Sequence, residues 1–188
     1  MSALDDLRAA GDAFAQRLAG VTDDQWDLST PCTEWSVHDL FAHVAGGNRF
    51  AVALLAGAST REARAVARSL DRTEDAQSVF RRTADEQLAA FSEPGAFERT
   101  CHHPVGDIPG AHFIGLRTGD LIVHAWDLAT AVGGEQDLGD DLVQLGLRIY
   151  RPMAGRLGQT GIFGVGATQD PAGLTPQQRL LDIVGRTA

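Results

Sequence analysis

The sequence predicts an all-α protein, an up-and-down bundle with at least four core helices, and three observations carry that expectation. Apolar residues recur at spacings of three and four through several long segments. No run alternates apolar and polar residues convincingly enough for a half-buried strand. Capping and turn residues punctuate the chain between the periodic segments. The chain has 188 residues, 44% of them hydrophobic, which suffices for one domain with a single core, taken as residues 1–188.

The first helix is read from Leu4, Leu7, Phe14 and Leu18, with Gly11 filling the same stripe, and it stops near Gly20. Thr22-Asp-Asp and the segment Ser29-Thr-Pro-Cys-Thr-Glu-Trp carry turn chemistry, and Pro31 is excluded from a helix interior. Ser36 is an N-cap with Asp39 in the capping-box position, and Val37, Leu40, Phe41 and Val44 open a second helix running to about Leu55. Gly46 and Gly47 inside it cost about 1 kcal/mol each relative to alanine. Either something packs closely against them or the helix kinks there.

A third helix, from about Thr73 to Phe91, has the weaker stripe Ala76, Val79, Phe80, Thr83, Leu88 and Phe91. Thr100 to Gly110, with two prolines and two glycines, reads as irregular, with room for a short extended segment. Ala111 to Val132 is the least ambiguous helix and is closed by Gly133-Gly134. A fifth helix runs from Asp140 to about Gly155 through Leu142, Leu145, Ile149 and Met153, and a short C-terminal one from Pro176 to Val184.

Composition removes several classes of function. Net charge is −9, and all sixteen basic residues are arginine, so no lysine-rich patch exists to follow a phosphate backbone. Nucleic acid is not an expected partner. The N-terminus lacks a basic region followed by an apolar run, and no stretch approaches the roughly 18 apolar residues of a membrane span. The expected location is the cytoplasm. Cys32 and Cys101 stand far apart in unlike contexts and are expected to be free thiols, Cys32 anchoring the loop before the second helix.

The Ala111–Val132 helix carries the chemistry. Arg117, Asp120, His124 and Asp127 follow one another at steps of three, four and three, so they share one face, while Leu121, Ile122, Val123, Trp126 and Leu128 around them are apolar. Polar groups on the inner face of a central helix need partners. One reading is an internal network in which Arg117 satisfies Asp120 and His124 pairs with Asp127. The other is a metal site, because an acid and a histidine at i and i+4 project in parallel. His43, three residues after Leu40 on the second helix, would complete two imidazoles and one carboxylate if the two helices face each other there. Spacing alone leaves both readings open. His102 and His103 precede Pro104 in a loop, His112 starts a helix, and His38 adjoins a capping residue and is expected to be exposed.

Three segments in order bear a resemblance to a known family: Thr30-Pro-Cys-Thr-Glu-Trp-Ser-Val-His-Asp-Leu-Phe-Ala-His-Val-Ala-Gly-Gly-Asn, Gly119-Asp-Leu-Ile-Val-His-Ala-Trp-Asp-Leu-Ala-Thr-Ala-Val-Gly, and Gln178-Arg-Leu-Leu-Asp-Ile-Val-Gly-Arg. They resemble actinobacterial metal-binding proteins of the DinB-like superfamily, related to the N-terminal domain of mycothiol-dependent maleylpyruvate isomerase. The resemblance implies a four-helix bundle with His43, Asp120 and His124 as metal ligands. The metal it implies is Zn2+, with Ni2+ or Fe2+ compatible with the same donors. The isomerase has glutamate where Asp120 stands and carries an additional C-terminal domain, so maleylpyruvate itself is not the expected substrate.

The function expected on this basis is a thiol-dependent isomerase or S-transferase. Mycothiol or a similar small thiol would be the cosubstrate, and an electrophilic small molecule its partner. Asp127 and Arg117 would orient His124 or receive an anionic substrate. A metal-hydroxide hydrolase and a non-catalytic metal- or ligand-binding module are the alternatives. A homodimer through a helix face is compatible with the sequence.

Overall fold

The computed structural model describes residues 2–69, 74–154 and 173–187. Helix α1 (Ala3–Leu18) begins at Ser2, whose hydroxyl accepts the Asp5 backbone N–H while the Asp5 carboxylate accepts from the Ser2 backbone. It buries Leu7, Ala10, Gly11, Phe14 and Leu18. Helix α2 (Val37–Leu55) opens on the same device, built from Ser36 and Asp39 as its sequence predicts.

Helix α3 (Thr60–Arg68) is an element that apolar periodicity does not announce, because only Ala63 of it is buried. A third capping box, Ser59 with Glu62, starts it. Its packing explains one of the paired glycines of α2: a Cβ on Gly46 would stand 2.8 Å from the Ala67 carbonyl oxygen. A Cβ on Gly47 would stand 2.6 Å from Nη1 of Arg117. Close approach, not a kink, accounts for both, and α2 runs unbroken past them.

Helix α4 (Ala76–Ser92) starts at the Asp75 cap, and the expected start at Thr73 lies outside the described residues. The segment after it is more regular than its prolines and glycines suggest. Strands β1 (Thr100–His103) and β2 (Gly106–Pro109) pair antiparallel, with Thr100 opposite Pro109 and His103 opposite Gly106. Helix α5 (Gly110–Val132) ends on Gly133 in the left-handed region at φ 68°. Helix α6 (Asp140–Tyr150) continues as one 3-10 turn, Arg151–Met153, and its expected end at Gly155 lies outside the described residues. Helix α7 (Pro176–Ile183) is the last element.

The core is a four-helix bundle in which α1 packs on α4 and α5, and α2 packs on the same two. The consecutive helices α1 and α2 therefore lie across a diagonal, and α2 meets α5. Helix α3 and the hairpin lie against α2, α6 against α5, and α7 against α6. Helix α5 is buried at every position from Arg117 to Ala129 except Asp120. Phe14 of α1 meets Phe80 of α4 with ring centroids 4.9 Å apart, and Phe91 meets Phe113 at 5.8 Å. Cys32 and Cys101 are buried free thiols. Among the described residues no helix is long and apolar enough to cross a membrane.

Candidate metal centre

The α2–α5 contact brings His43 opposite Asp120 and His124. Nε2 of His43 and Nε2 of His124 each lie 3.3 Å from the same oxygen, Oδ1 of Asp120, and the two imidazole centroids are 4.8 Å apart. Bonds of about 2.0–2.1 Å arranged tetrahedrally give ligand-to-ligand edges of about 3.3 Å. The two nitrogen-to-oxygen separations therefore match the edges of a zinc-like site. Side-chain exposure falls from 37% at His43 through 21% at Asp120 to 9% at His124, so the cluster opens to solvent on the His43 side.

Each α5 group is held from behind. Oδ2 of Asp120 accepts from Nη1 of Arg117 at 2.6 Å, which leaves Oδ1 to the imidazoles. Arg117 is buried, and its other donors are engaged: Nε to Oε1 of Gln87 at 2.9 Å and Nη2 to Oδ1 of Asn48 at 3.0 Å. Nδ1 of His124 is 2.8 Å from Oδ2 of Asp127, which, with Nδ1 as the donor, fixes the ring so that Nε2 faces Asp120. Asp127 is fully buried and takes Nε and Nη2 of Arg186 at 2.7 and 3.0 Å.

The loop before α2 closes the site on two more sides. A tight turn with Trp35 N–H donating to the Cys32 carbonyl at 3.0 Å contains Glu34 at φ 67°, a left-handed conformation for a non-glycine residue. It sends Cys32 inward, where its thiol donates to Oδ2 of Asp127 at 3.3 Å, and sets the Trp35 ring 4.8 Å from the His43 ring and 6.0 Å from that of His124.

The electrostatics follow from this crowding. Burial pushes the Asp120 carboxyl up, but His43, His124 and Arg117 overcome it and hold the group well below the usual carboxylate range. Burial pushes His124 down, and the charge of Asp120 with the hydrogen bonds to Asp120, Asp127 and Cys32 carries it well above the ordinary histidine value. The centre is thus built to keep a cation among two carboxylates. The internal network read from the sequence exists, with Arg117 on Asp120 and His124 on Asp127, and it leaves Oδ1 of Asp120 and Nε2 of His124 facing His43.

Arg117, a candidate to orient His124 or to receive an anionic substrate, turns its donors into the bundle on Asp120, Gln87 and Asn48, because Gly47 admits its guanidinium against α2. Asp127 likewise faces the back of His124. Cys32, His124 and Asp127 also form a ligand-capable trio, but the Arg186 guanidinium already lies 3.2 Å from the Cys32 sulfur and places a fixed cation there.

The remaining histidines contribute no atom to the cluster. His102 is exposed on Asp107 at 2.8 Å. His103 packs between Phe50 and Phe113, and burial, with the charges of Arg117, His112 and Arg64, pushes it down to about 4. His112 is exposed, and His38, expected to be exposed, is half-buried edge-on to Trp26. Sequence reasoning missed Arg186, Trp35, Gln87 and Asn48. Only position in the Gln178–Arg186 and Thr30–Asn48 segments signalled three of them, and Gln87 had no signal beyond following Thr83 by one turn.

Residues 7–129 match the family described as the mycothiol maleylpyruvate isomerase N-terminal domain. Two uncharacterized proteins of Mycobacterium tuberculosis strains are each 40% identical over 146 residues, covering 78% of this chain and 76% of theirs. The crystal structure of the mycothiol-dependent maleylpyruvate isomerase superposes with a TM-score of 0.62 at 16% identity, over 82% of this chain and 71% of that one. A histidine-to-alanine mutant of it gives 0.64 at 18%, over 88% and 72%. These two likenesses establish a common fold.

Proposed function

The chain belongs to the mycothiol maleylpyruvate isomerase N-terminal domain family, and on that premise we propose that it is a metal-dependent enzyme handling a small thiol, with His43, Asp120 and His124 as ligands. The observation that carries this reading is the convergence of two imidazole nitrogens on one carboxylate oxygen at 3.3 Å each, on the solvent-open side of the α2–α5 contact. Two nitrogens and one oxygen suit zinc first, and nickel or iron as well.

A divalent cation there would supply the positive charge that makes a nearby thiol available as thiolate near neutral pH. The chain's own groups do the rest. Asp127 keeps the His124 proton on Nδ1, and Arg117 keeps one Asp120 oxygen turned away, so both α5 ligands are oriented before anything binds. The half-exposed His43 leaves the approach open, and Trp35 gives that approach an aromatic wall. Mycothiol is the thiol suggested by the family's description, and an isomerase or S-transferase acting on an electrophilic small molecule is the reaction class that follows.

Incubating the protein with mycothiol and a panel of electrophiles that includes maleylpyruvate tests this. Isomerised or thiol-conjugated product is expected, abolished by chelator and restored by zinc. Metal-loaded protein that turns over none of the panel would contradict the enzymatic reading and leave a binding module.

A further inference from the structure

We propose that Arg186 is a positioning residue of the metal centre: it clamps Asp127, which fixes the ring of His124, so that the C-terminal turn of the chain sets how tightly the ion is held. This rests on the reading of His43, Asp120 and His124 as the metal ligands.

The local sequence aims the side chain. After α7 the chain turns at Gly185, φ 70°, with Gly185 N–H donating to the Asp182 carbonyl at 3.0 Å and Arg186 N–H to the Leu181 carbonyl at 2.8 Å. That pair of bonds is a Schellman close, which reverses the backbone immediately before Arg186. Leu180, Leu181 and Val184, all without exposed surface, pin the helix to the bundle, and Gly146 on α6 makes the room, since a Cβ there would stand 2.7 Å from Cδ2 of Leu180. The turn therefore delivers Arg186 to one place.

What it meets there is the carboxylate behind the ligand. Nε reaches Oδ1 of Asp127 and Nη2 reaches Oδ2, a two-pronged fork that fixes the plane of the carboxylate as well as its position. Oδ2 then faces Nδ1 of His124 at 2.8 Å. Cys32 completes the ring, its sulfur 3.3 Å from that oxygen and accepting from Nη2 of Arg186 at 3.2 Å. A histidine ligating a metal is neutral, so the fully buried Asp127 needs a cation of its own, and among the described residues Arg186 is the one whose guanidinium touches it. A lysine would return the charge without the fork.

Zn2+ alone is the probe, titrated against a chromogenic chelator into the full-length wild type, Arg186→Lys, Arg186→Gln, Asp127→Asn and the Arg186→Gln/Asp127→Asn double variant. Thermal melts of the metal-free proteins run alongside. The expected result is zinc affinity about 10–100-fold weaker in Arg186→Gln and in Asp127→Asn, a smaller loss in Arg186→Lys, and a double variant no weaker than the worse single one. If Arg186→Gln does not fold, the Arg186→Lys measurement decides. A lowered melting temperature with wild-type zinc affinity would overturn the proposal by reducing Arg186 to a structural latch, and additive losses would break the path through Asp127. A wild type that takes up no zinc would instead overturn the metal centre itself, and this proposal with it.

Discussion

Asp120 divides its two oxygens between a buried arginine and two imidazoles, and the glycine facing that arginine is as necessary as the aspartate. Gly47→Ala puts a methyl 2.6 Å from the Arg117 guanidinium, whereas Gly11→Ala, on the buried face of α1, meets nothing within 4 Å. The two substitutions should therefore have opposite signs in chemical denaturation: a loss of about 1–3 kcal/mol at Gly47 and a gain of up to about 1 kcal/mol at Gly11. Equal effects would mean that Arg117 is not lodged against α2. Asp120→Ala removes the partner of a buried charge and should cost metal-free protein about 2–3 kcal/mol, below a fully buried pair because Asp120 is partly exposed. At this scale the sequence was legible where residues share one helix. The steps of three and four from Arg117 to Asp127 fix a common face, but contacts between distant segments, such as Arg186 on Asp127, have no periodicity to betray them.

Helix starts were legible for the same local reason. The Ser36–Asp39 capping box spans four residues and needs no tertiary partner, so α2 begins where its sequence says. Helix α3 escaped because its apolar residues are small or exposed, Ala63 alone being buried and Val66 standing at the surface, so no stripe of large apolar residues marks it. The Thr100–Gly110 segment leaves room for a short extended stretch, but the pairing of two strands escaped because they are four residues each and carry no clear alternation. One consequence of that hairpin is measurable. His103 has its pKa pushed from the ordinary 6.5 down to about 4, so the folded protein refuses a proton that the unfolded chain accepts. The stability it contributes is complete above about pH 6.5 and is lost as pH falls toward 4. Melting temperatures of wild type and His103→Asn followed from pH 7 to pH 5 should converge, the wild type falling faster. Parallel curves would mean that His103 is not held neutral.

On the scale of the whole molecule, the diagonal placement of α1 and α2 lets α2 face α5, and that contact turns a polar face into a three-residue cluster. Periodicity found the helices but not their order around the bundle; the resemblance placed His43 opposite Asp120 and His124. The core of Trp126, Phe14, Phe80, Phe91 and Phe113 is complete without an ion, so metal-free protein should stay folded. Zinc at a hundredfold excess over its dissociation constant should then add about 2.7 kcal/mol and raise the melting temperature by several degrees, an increment that chelator removes. The most direct measurement is metal content per chain, by elemental analysis, of wild type beside His43→Ala, His124→Ala and their double variant. One equivalent in the wild type with a large loss in each variant is the predicted result; a double variant that keeps its full equivalent would contradict the assignment of His43, Asp120 and His124 as the metal centre.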